Sequence, residues 1–486
     1  MIFLFCAVNL IKTDENYTIA FFSDMFYNIN RIKQEKRNLH MKFTRIAAFL
    51  LVLAMLFSFA ACSGGKATLN GIAIEDYVII YDASQPDYNF RAAEYIQSEI
   101  LARTGKEVQV CSASSGTYDH EILVGKTNRA LSADLVSGSR EMEFYFKADS
   151  NHVAMHGDYF IIAAAAYYFV ETYIPGKSFK STIPTDEITV AQPITEKANN
   201  YIFLIGDGMG FNQTLMFDYD MSPSDDVLYY DGEDIFYGYY FPYQGKSHTD
   251  SLSGVTDSAA GGTALSTGYK TINGYVGRDK DLNNLQSLTE LAASMGKATA
   301  VMSTDLQTGA TPASFSAHAN DRDDSSDILA CQVELMQNYG TMIRCDLHST
   351  TSYQDEIADV LYEMDMCEEG FFLMYEEGYI DKFCHNNNLY DTFDCVVRFN
   401  QAIGLFMEYA FYNPDTFVII TADHETGGLW STDDGELEFN TTSHTGAPVP
   451  VFAYGKGAEE FDGFDDENVE IPKIIAALWG VSEFGN

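Results

Sequence analysis

YIFLIGDGMG (201–210) opens with a continuous apolar run that reads as a buried strand, and it ends in Gly-Asp-Gly. Glycine tolerates backbone dihedrals that other residues avoid, so Asp207 is placed on a tight turn where the strand ends. Working outward, KATAVMST (297–304), TFVIITA (416–422) and PVFAYG (450–455) are further short apolar runs with β-branched or aromatic residues. NNLQSLTELAASMG (283–296) and DSSDILACQVELMQNYG (324–340) lie between them and are amphipathic. Alternating strands and helices predict an α/β fold with a parallel-rich sheet covered on both faces. Ligands of such sheets gather at the carboxyl ends of the strands, where Asp207 and Asp423 both fall.

The stretch before Tyr201 reads as a separate, smaller α/β unit. IEDYVIIYD is a strand followed by the turn-prone DASQPDYN, and RAAEYIQSEILARTG has apolar residues at helical spacing with a glycine stop. VQVCS and EILVGKT read as strands, and DYFIIAAAAYYFVETYIP as an apolar helix ended by Pro175. TVAQPITEKANN (189–200) reads as a polar linker. His152 and His156 read as surface histidines. At the N-terminus, MKFTRIAAFLLVLAMLFSFAAC (41–62) has a short basic start, an apolar core and small residues before Cys62. That pattern is a lipoprotein-type signal, which would leave a lipidated Cys62 and an exported, membrane-anchored protein. A plain N-terminal membrane anchor is the alternative. Residues 1–40 make no sense ahead of such a signal, and a misassigned start codon explains them. The expected organisation is therefore 1–40 extraneous, 41–62 signal, 63–192 accessory α/β domain and 199–486 catalytic domain.

Composition limits the partners. The chain has 486 residues, enough for two or three cores, with 46% apolar residues. Its 70 acidic and 29 basic residues give a net charge of -41, which excludes a broad basic surface for nucleic acid or anionic lipid. A small anionic substrate is compatible, because bound divalent ions invert the local field. The cysteines after Cys62 (Cys111, Cys331, Cys345, Cys367, Cys384 and Cys395) show neither zinc-motif nor disulfide-framework spacing and read as buried thiols or optional bridges.

Four segments carry candidate metal ligands: Asp207, then Glu376, Asp381 and His385 in MYEEGYIDKFCH, then Asp423 and His424 in VIITADHETGG, then His444 in SHTGAPVP. Asp381 and His385 are one helical turn apart and so share a face. Mixed carboxylate and imidazole ligands suit zinc, while carboxylate with hydroxyl suits magnesium. Each signal alone is weak: a turn aspartate, a helix cap, a surface ion pair or a lone histidine would look the same. Ser258 in TDSAAGG is the candidate nucleophile.

Together, LIGDGMG, VTDSAAGGTA, ATPASFSAH followed by Arg322, EEGYIDKFCH, TADHETGG and SHTGAPVPVFAYG resemble, in order, the active-site segments of the alkaline phosphatase family. The resemblance runs through 201–486 and implies a three-layer sandwich around a mostly parallel sheet. It implies Ser258 as the phosphorylated nucleophile and Arg322 as the phosphate clamp. Asp381, His385 and His444 would hold a first zinc, Asp207, Asp423 and His424 a second, and Asp207, Thr311 and Glu376 a magnesium. The expected cofactors are thus two Zn²⁺ and one Mg²⁺, and the expected substrates are phosphate monoesters. Two ions about 4 Å apart can stabilise the attacking and leaving oxygens of an in-line displacement, and a guanidinium fork binds two nonbridging oxygens.

Gly309 stands where relatives often carry an aspartate or histidine, which leaves the third ion's affinity open. Lys382 is either a water-mediated phosphate contact or a solvated lysine. His318 reads as a structural neighbour of Arg322. The short span from Arg322 to Glu376 leaves dimerisation open. Residues 65–190 weakly resemble accessory N-terminal domains of bacterial glycoside hydrolases, which implies either a glycan contact or a spacer. The competing readings are a phosphodiesterase of the same superfamily, disfavoured by Ser258 and Arg322, and a noncatalytic glycan-binding surface protein, disfavoured by the intact site.

Overall fold

In the computed structural model, residues 66–485 are described, apart from 84–85, 134, 136–141, 187, 192–197, 220, 222–234 and 350–352. The segments 1–40 and 41–62, with Cys62, lie outside the described residues. No described helix is long and apolar enough to cross a membrane.

The first sheet is built from β1 (Val78–Tyr81), β2 (Gln109–Ser112), β3 (Glu121–Val124), β4 (Glu143–Ala148), β5 (His152–His156) and β6 (Ile188–Ala191). Their order is β2-β1-β3-β5-β4-β6, parallel from β2 to β5 and antiparallel at β4 and β6. Helices α1 (Pro86–Thr104) and α2 (Ile161–Tyr173) pack on it. Two local readings change. The helix α1 starts at Pro86, inside the stretch that reads as a turn, because proline fits a first helical turn whose amide has no partner anyway. The strand β6 takes up Thr189–Ala191 of the expected linker, whose backbone pairs with β4.

The second sheet positions the site. Its strands are β7 (Asn200–Gly206), β8 (Tyr243–His248), β9 (Ala298–Ser303), β10 (Met342–Arg344), β11 (Phe371–Glu377), β12 (Thr416–Thr421), β13 (Val449–Tyr454) and β14 (Asp465–Glu467), in the order β10-β9-β11-β7-β12-β13-β8-β14. The run from β10 to β12 is all parallel; β13 is antiparallel to both its neighbours. Successive residues of the central strands enter different cores. Ile202 and Leu204 join Val418, Ile420, Leu373 and Tyr375 in one apolar cluster. Tyr201, Phe203 and Ile205 join Phe417, Ile419, Phe372 and Met374 in another. A strand buried on both faces needs apolar residues at every position, which is why YIFLI and FVII lack alternation. The chain therefore adopts an α/β fold with a mostly parallel central sheet between two packed layers.

The helix α5 (Leu389–Tyr412) joins the two sheets. Phe160, at the start of α2, stacks on Phe411 at 5.7 Å, and Tyr95 of α1 stacks on Tyr412 at 4.1 Å. Arg91 of α1 is 2.7 Å from Glu408. The larger apolar cluster runs through both sheets, so the N-terminal unit is packed against the second sheet's layer.

Candidate active site

Three neighbouring parallel strands end at one place. β7 delivers Asp207, β11 delivers Glu376 and β12 leads to Asp423 and His424. Gly208 has a φ of +73°, and a Cβ there would lie 2.9 Å from the Cα of Asp381. Glycine is thus required both for the turn and for the approach of α4 (Tyr379–His385). That helix presents Asp381 and His385 one turn apart, 3.3 Å from each other.

Two donor triads result. Asp381, His385 and His444 form one, and Asp207, Asp423 and His424 the other, with the atoms of each set within 4.8 Å of one another. The histidine orientations follow from their outer partners. His385 Nδ1 donates to the Thr442 carbonyl at 2.7 Å and His444 Nδ1 to the Thr256 carbonyl at 2.8 Å. A carbonyl can only accept, so in the neutral imidazoles it is Nε2 that carries the lone pair, and the two Nε2 atoms face each other at 3.0 Å. Thr426 donates to Asp381 at 2.6 Å and receives His424 Nδ1 at 3.2 Å, which turns His424 Nε2 inward as well. Asp207 Oδ1 is buried without a hydrogen-bond partner. Facing lone pairs and an orphaned buried carboxylate oxygen are the donor set a divalent cation satisfies, so the residues fit the expected metals.

The electrostatics point the same way. Burial pushes Asp207 well above the usual carboxylate range, and the charges of Asp423, Asp381 and Glu376 add to it. Burial and Asp381 carry Asp423 to about 6, and burial and Asp305 carry Glu376 to about 8. Burial lowers His424 to about 4 and lowers His444 too. Asp381 is held low: burial opposes its ionisation, but hydrogen bonds from His385 and Thr426 and the nearby imidazole charges outweigh it. His385 is raised to about 9, mainly by its bond to Asp381. Carboxyls this crowded resist ionising without a positive partner.

Ser258 is the first residue of α3 (Ser258–Thr267), whose amino end supplies partial positive charge. Its Oγ lies 3.2 Å from His424 Nε2. A Cβ at Gly261 would lie 2.9 Å from the Asp423 carbonyl, so the SAAGG run lets the helix sit against the metal-ligand loop. Asp257 fixes this corner, and the motif reading gave it no role. Its Oδ1 accepts from the Ala260 amide at 3.0 Å, and its Oδ2 accepts from the Gly274 amide at 2.9 Å and from Arg322 at 3.2 Å. The aspartate N-cap signal before a helix was the clue.

The third cluster is all oxygen. Glu376 accepts a short hydrogen bond from Ser303, and Thr311 donates to Asp423 at 3.4 Å. Lys382 is ion-paired to Asp305 and lies 4.2 Å from the Tyr379 ring centre. His318 bridges the Gly277 carbonyl and Glu290, at 2.9 and 3.0 Å, rather than Arg322 itself. His156 is buried, not at the surface, and pairs with Asp158 at 3.0 Å. His152 pairs with Asp149 at 3.1 Å. Cys111, Cys331, Cys345, Cys367, Cys384 and Cys395 are free thiols. His348, Glu377 and Cys395 also converge, but Arg398 lines the same pocket and opposes a cation there.

Fold and site together define an α/β protein with two candidate metal-ligand triads and a serine against one of them. The family model for alkaline phosphatase matches residues 198–350 and 340–437. Alkaline phosphatase 3 of Bacillus subtilis (strain 168) is 28% identical over 297 residues, covering 49% of this chain and 64% of that protein. Alkaline phosphatase 4 of the same organism is 28% identical over 242 residues, covering 38% of this chain and 52% of that protein. These curated relatives are thus matched over about half to two-thirds of their own length. The structure of the alkaline phosphatase from the Antarctic bacterium TAB5 is similar with a TM-score of 0.49 and 28% identity, covering 60% of this chain and 99% of that one. Through the matched segment, this chain belongs to the alkaline phosphatase family.

Proposed function

We propose that this chain hydrolyses phosphate monoesters to an alcohol and inorganic phosphate through a phosphoserine at Ser258. One observation carries the reading: the Ser258 hydroxyl lies 3.2 Å from His424 of one of two donor triads, with Arg322 held by Asp257, the residue before it.

Asp381, His385 and His444 would hold one zinc, Asp207, Asp423 and His424 a second, and Asp207, Thr311 and Glu376 a magnesium. When bound, such ions stabilise negative charge on oxygen and favour the ionised form of a hydroxyl or water. The protein's own groups do the rest. Arg322 grips two nonbridging phosphoryl oxygens, its fork oriented by Asp257. Ser258 Oγ forms the bond to phosphorus in line with the departing ester oxygen, which leaves with its electron pair and takes up a proton. Water then displaces the serine oxygen from phosphorus, again in line. Two inversions give net retention, and Ser258 regains its proton. The amino end of α3 favours both the serine oxyanion and the bound phosphoryl group. The segment 41–62 supports export and anchoring at Cys62 as part of the same proposal.

The test is turnover of a chromogenic phosphate monoester near pH 9 by residues 63–486, with zinc and magnesium, with chelator, and as Ser258→Ala. Activity lost in both chelator and variant is the expected result. Activity on a phosphodiester alone would move the chain to the phosphodiesterase reading, and silence on both substrates would overturn the enzyme reading.

A further inference from the structure

Position 309 carries no side chain, yet the space beside it is filled. A Cβ built on Gly309 would lie 2.6 Å from Asp305 Oδ2 and 3.0 Å from its Cγ. Gly309 has ordinary extended backbone angles (φ -55°, ψ 147°), so the backbone does not require glycine; the Asp305 carboxylate does. The same side chain borders Glu376. A Cβ at Gly378 would meet Asp305 Cβ at 2.9 Å and Glu376 Oε2 at 3.3 Å, so both acids line one methyl-sized gap.

Asp305 is fixed in this place from both sides. Its amide donates to Ser303 Oγ at 2.8 Å, and its carbonyl accepts from the Asp346 amide at 2.6 Å. Its Oδ1 takes the Leu306 amide at 2.6 Å and the Lys382 ammonium. Ser303, which holds that amide, also donates to Glu376, so Asp305 and Glu376 share one anchor. The Asp305 side chain is 15% exposed, well shielded for an aspartate.

We propose that Asp305, reaching in from the end of β9, supplies the acidic group of the third cation site that position 309 lacks, and holds Lys382 at its edge. The site then comprises the carboxylates of Asp207, Glu376 and Asp305 with the Thr311 hydroxyl, an all-oxygen set suited to a hard cation such as Mg²⁺. Asp305 is a positioning residue with respect to the reaction, because it acts on the cation and on Lys382 rather than on the phosphoryl group. Glycine at 309 and aspartate at 305 are a coupled pair: a second carboxylate at 309 would be pressed against the first.

This inference rests on the three-cation reading above, and the test separates the two. Protein stripped with chelator and reloaded with two equivalents of zinc is titrated with Mg²⁺ by calorimetry, and its unfolding midpoint is followed with and without Mg²⁺. The parent should bind one Mg²⁺ and gain stability from it. Asp305→Asn, which keeps the shape and loses the charge, should weaken Mg²⁺ binding about tenfold or more with both zinc equivalents retained. Asp305→Ala/Gly309→Asp, which returns a carboxylate to the same space, should recover most of that affinity. Gly309→Asp alone should lower the unfolding midpoint without tightening Mg²⁺ binding, the non-additivity expected of residues in contact. Parental Mg²⁺ affinity in folded Asp305→Asn would overturn the inference and leave the phosphatase reading standing. A folded double variant that recovers nothing would also overturn it. A parent that takes up zinc but no Mg²⁺ would overturn the third site itself, whereas failure of the phosphatase reading would appear as an inactive parent.

Discussion

The two sheets both end parallel strands in loops rich in polar residues, and among the described residues only the second gathers candidate metal-ligand triads. In the first sheet the described strand ends form local pairs with no shared centre: His156, the last residue of β5, pairs through Nε2 with Asp158 two positions on, and Asn89 of α1 donates to the Asp82 carbonyl at 3.3 Å after β1. In the second sheet β11, β7 and β12 lie side by side and aim Glu376, Asp207, Asp423 and His424 at one point, where their outer partners leave lone pairs facing inward. The lesson is that parallel strand ends offer a place, but chemistry arises where polar groups stay unpaired toward a common centre.

Breaking the site on the second sheet should have the largest consequence. Ser258→Ala should cut monoester turnover at least about 10³-fold, as loss of a nucleophile does, with an unchanged far-ultraviolet spectrum. Arg322→Ala should lower kcat/KM about 10²-fold, and Arg322→Lys should recover only part of it because an ammonium lacks the fork.

Metal removal sharpens the contrast through pH. Without cations, Asp207, Asp423 and Glu376 have raised values in the folded state, the last two about 6 and about 8. The folded protein then holds more protons than the unfolded chain between the ordinary carboxyl range and about pH 8. Stability of the metal-free protein should therefore fall as pH rises through that window, and divalent ions should remove most of the dependence. Denaturant midpoints from pH 5 to 8.5, with chelator and with zinc plus magnesium, check this; a flat metal-free profile would contradict it.

Changes at the first sheet should spare the chemistry. Phe160→Ala, which removes a fully buried ring stacked on Phe411, should cost about 3–5 kcal/mol by denaturant unfolding with kcat per folded molecule unchanged. The smallest effect is expected for Asp158→Ala, whose partly exposed carboxylate pairs with the buried His156. It should destabilise by about 1–2 kcal/mol, because a buried ring nitrogen of His156 loses its partner, and leave turnover alone.

Much of this architecture was legible in the chain. YIFLIGD, KATAVMST, TFVIITA and PVFAYG form β7, β9, β12 and β13, because unbroken apolar runs have few homes other than a strand covered on both faces. The strand β11 (FFLMYEE) was not singled out: its carboxylates sit inside a strand, where composition argues against them. The shared core of the two units also stayed hidden, since Phe160 and Tyr95 meet partners about 250 and 317 positions away, beyond any periodicity.

By itself the sequence determined the α/β alternation, the placement of Asp207 and Asp423 at strand ends, and the one-turn spacing of Asp381 and His385, because these depend on local backbone geometry alone. Tertiary structure decided what faces what. It turned the Nε2 atoms of His385 and His444 toward each other, gave Asp257 its hold on Arg322, and set Asp305 in the space beside Gly309. Those outcomes come from strands and helices far apart in the chain packing against one another, and spacing along a sequence carries no record of that distance.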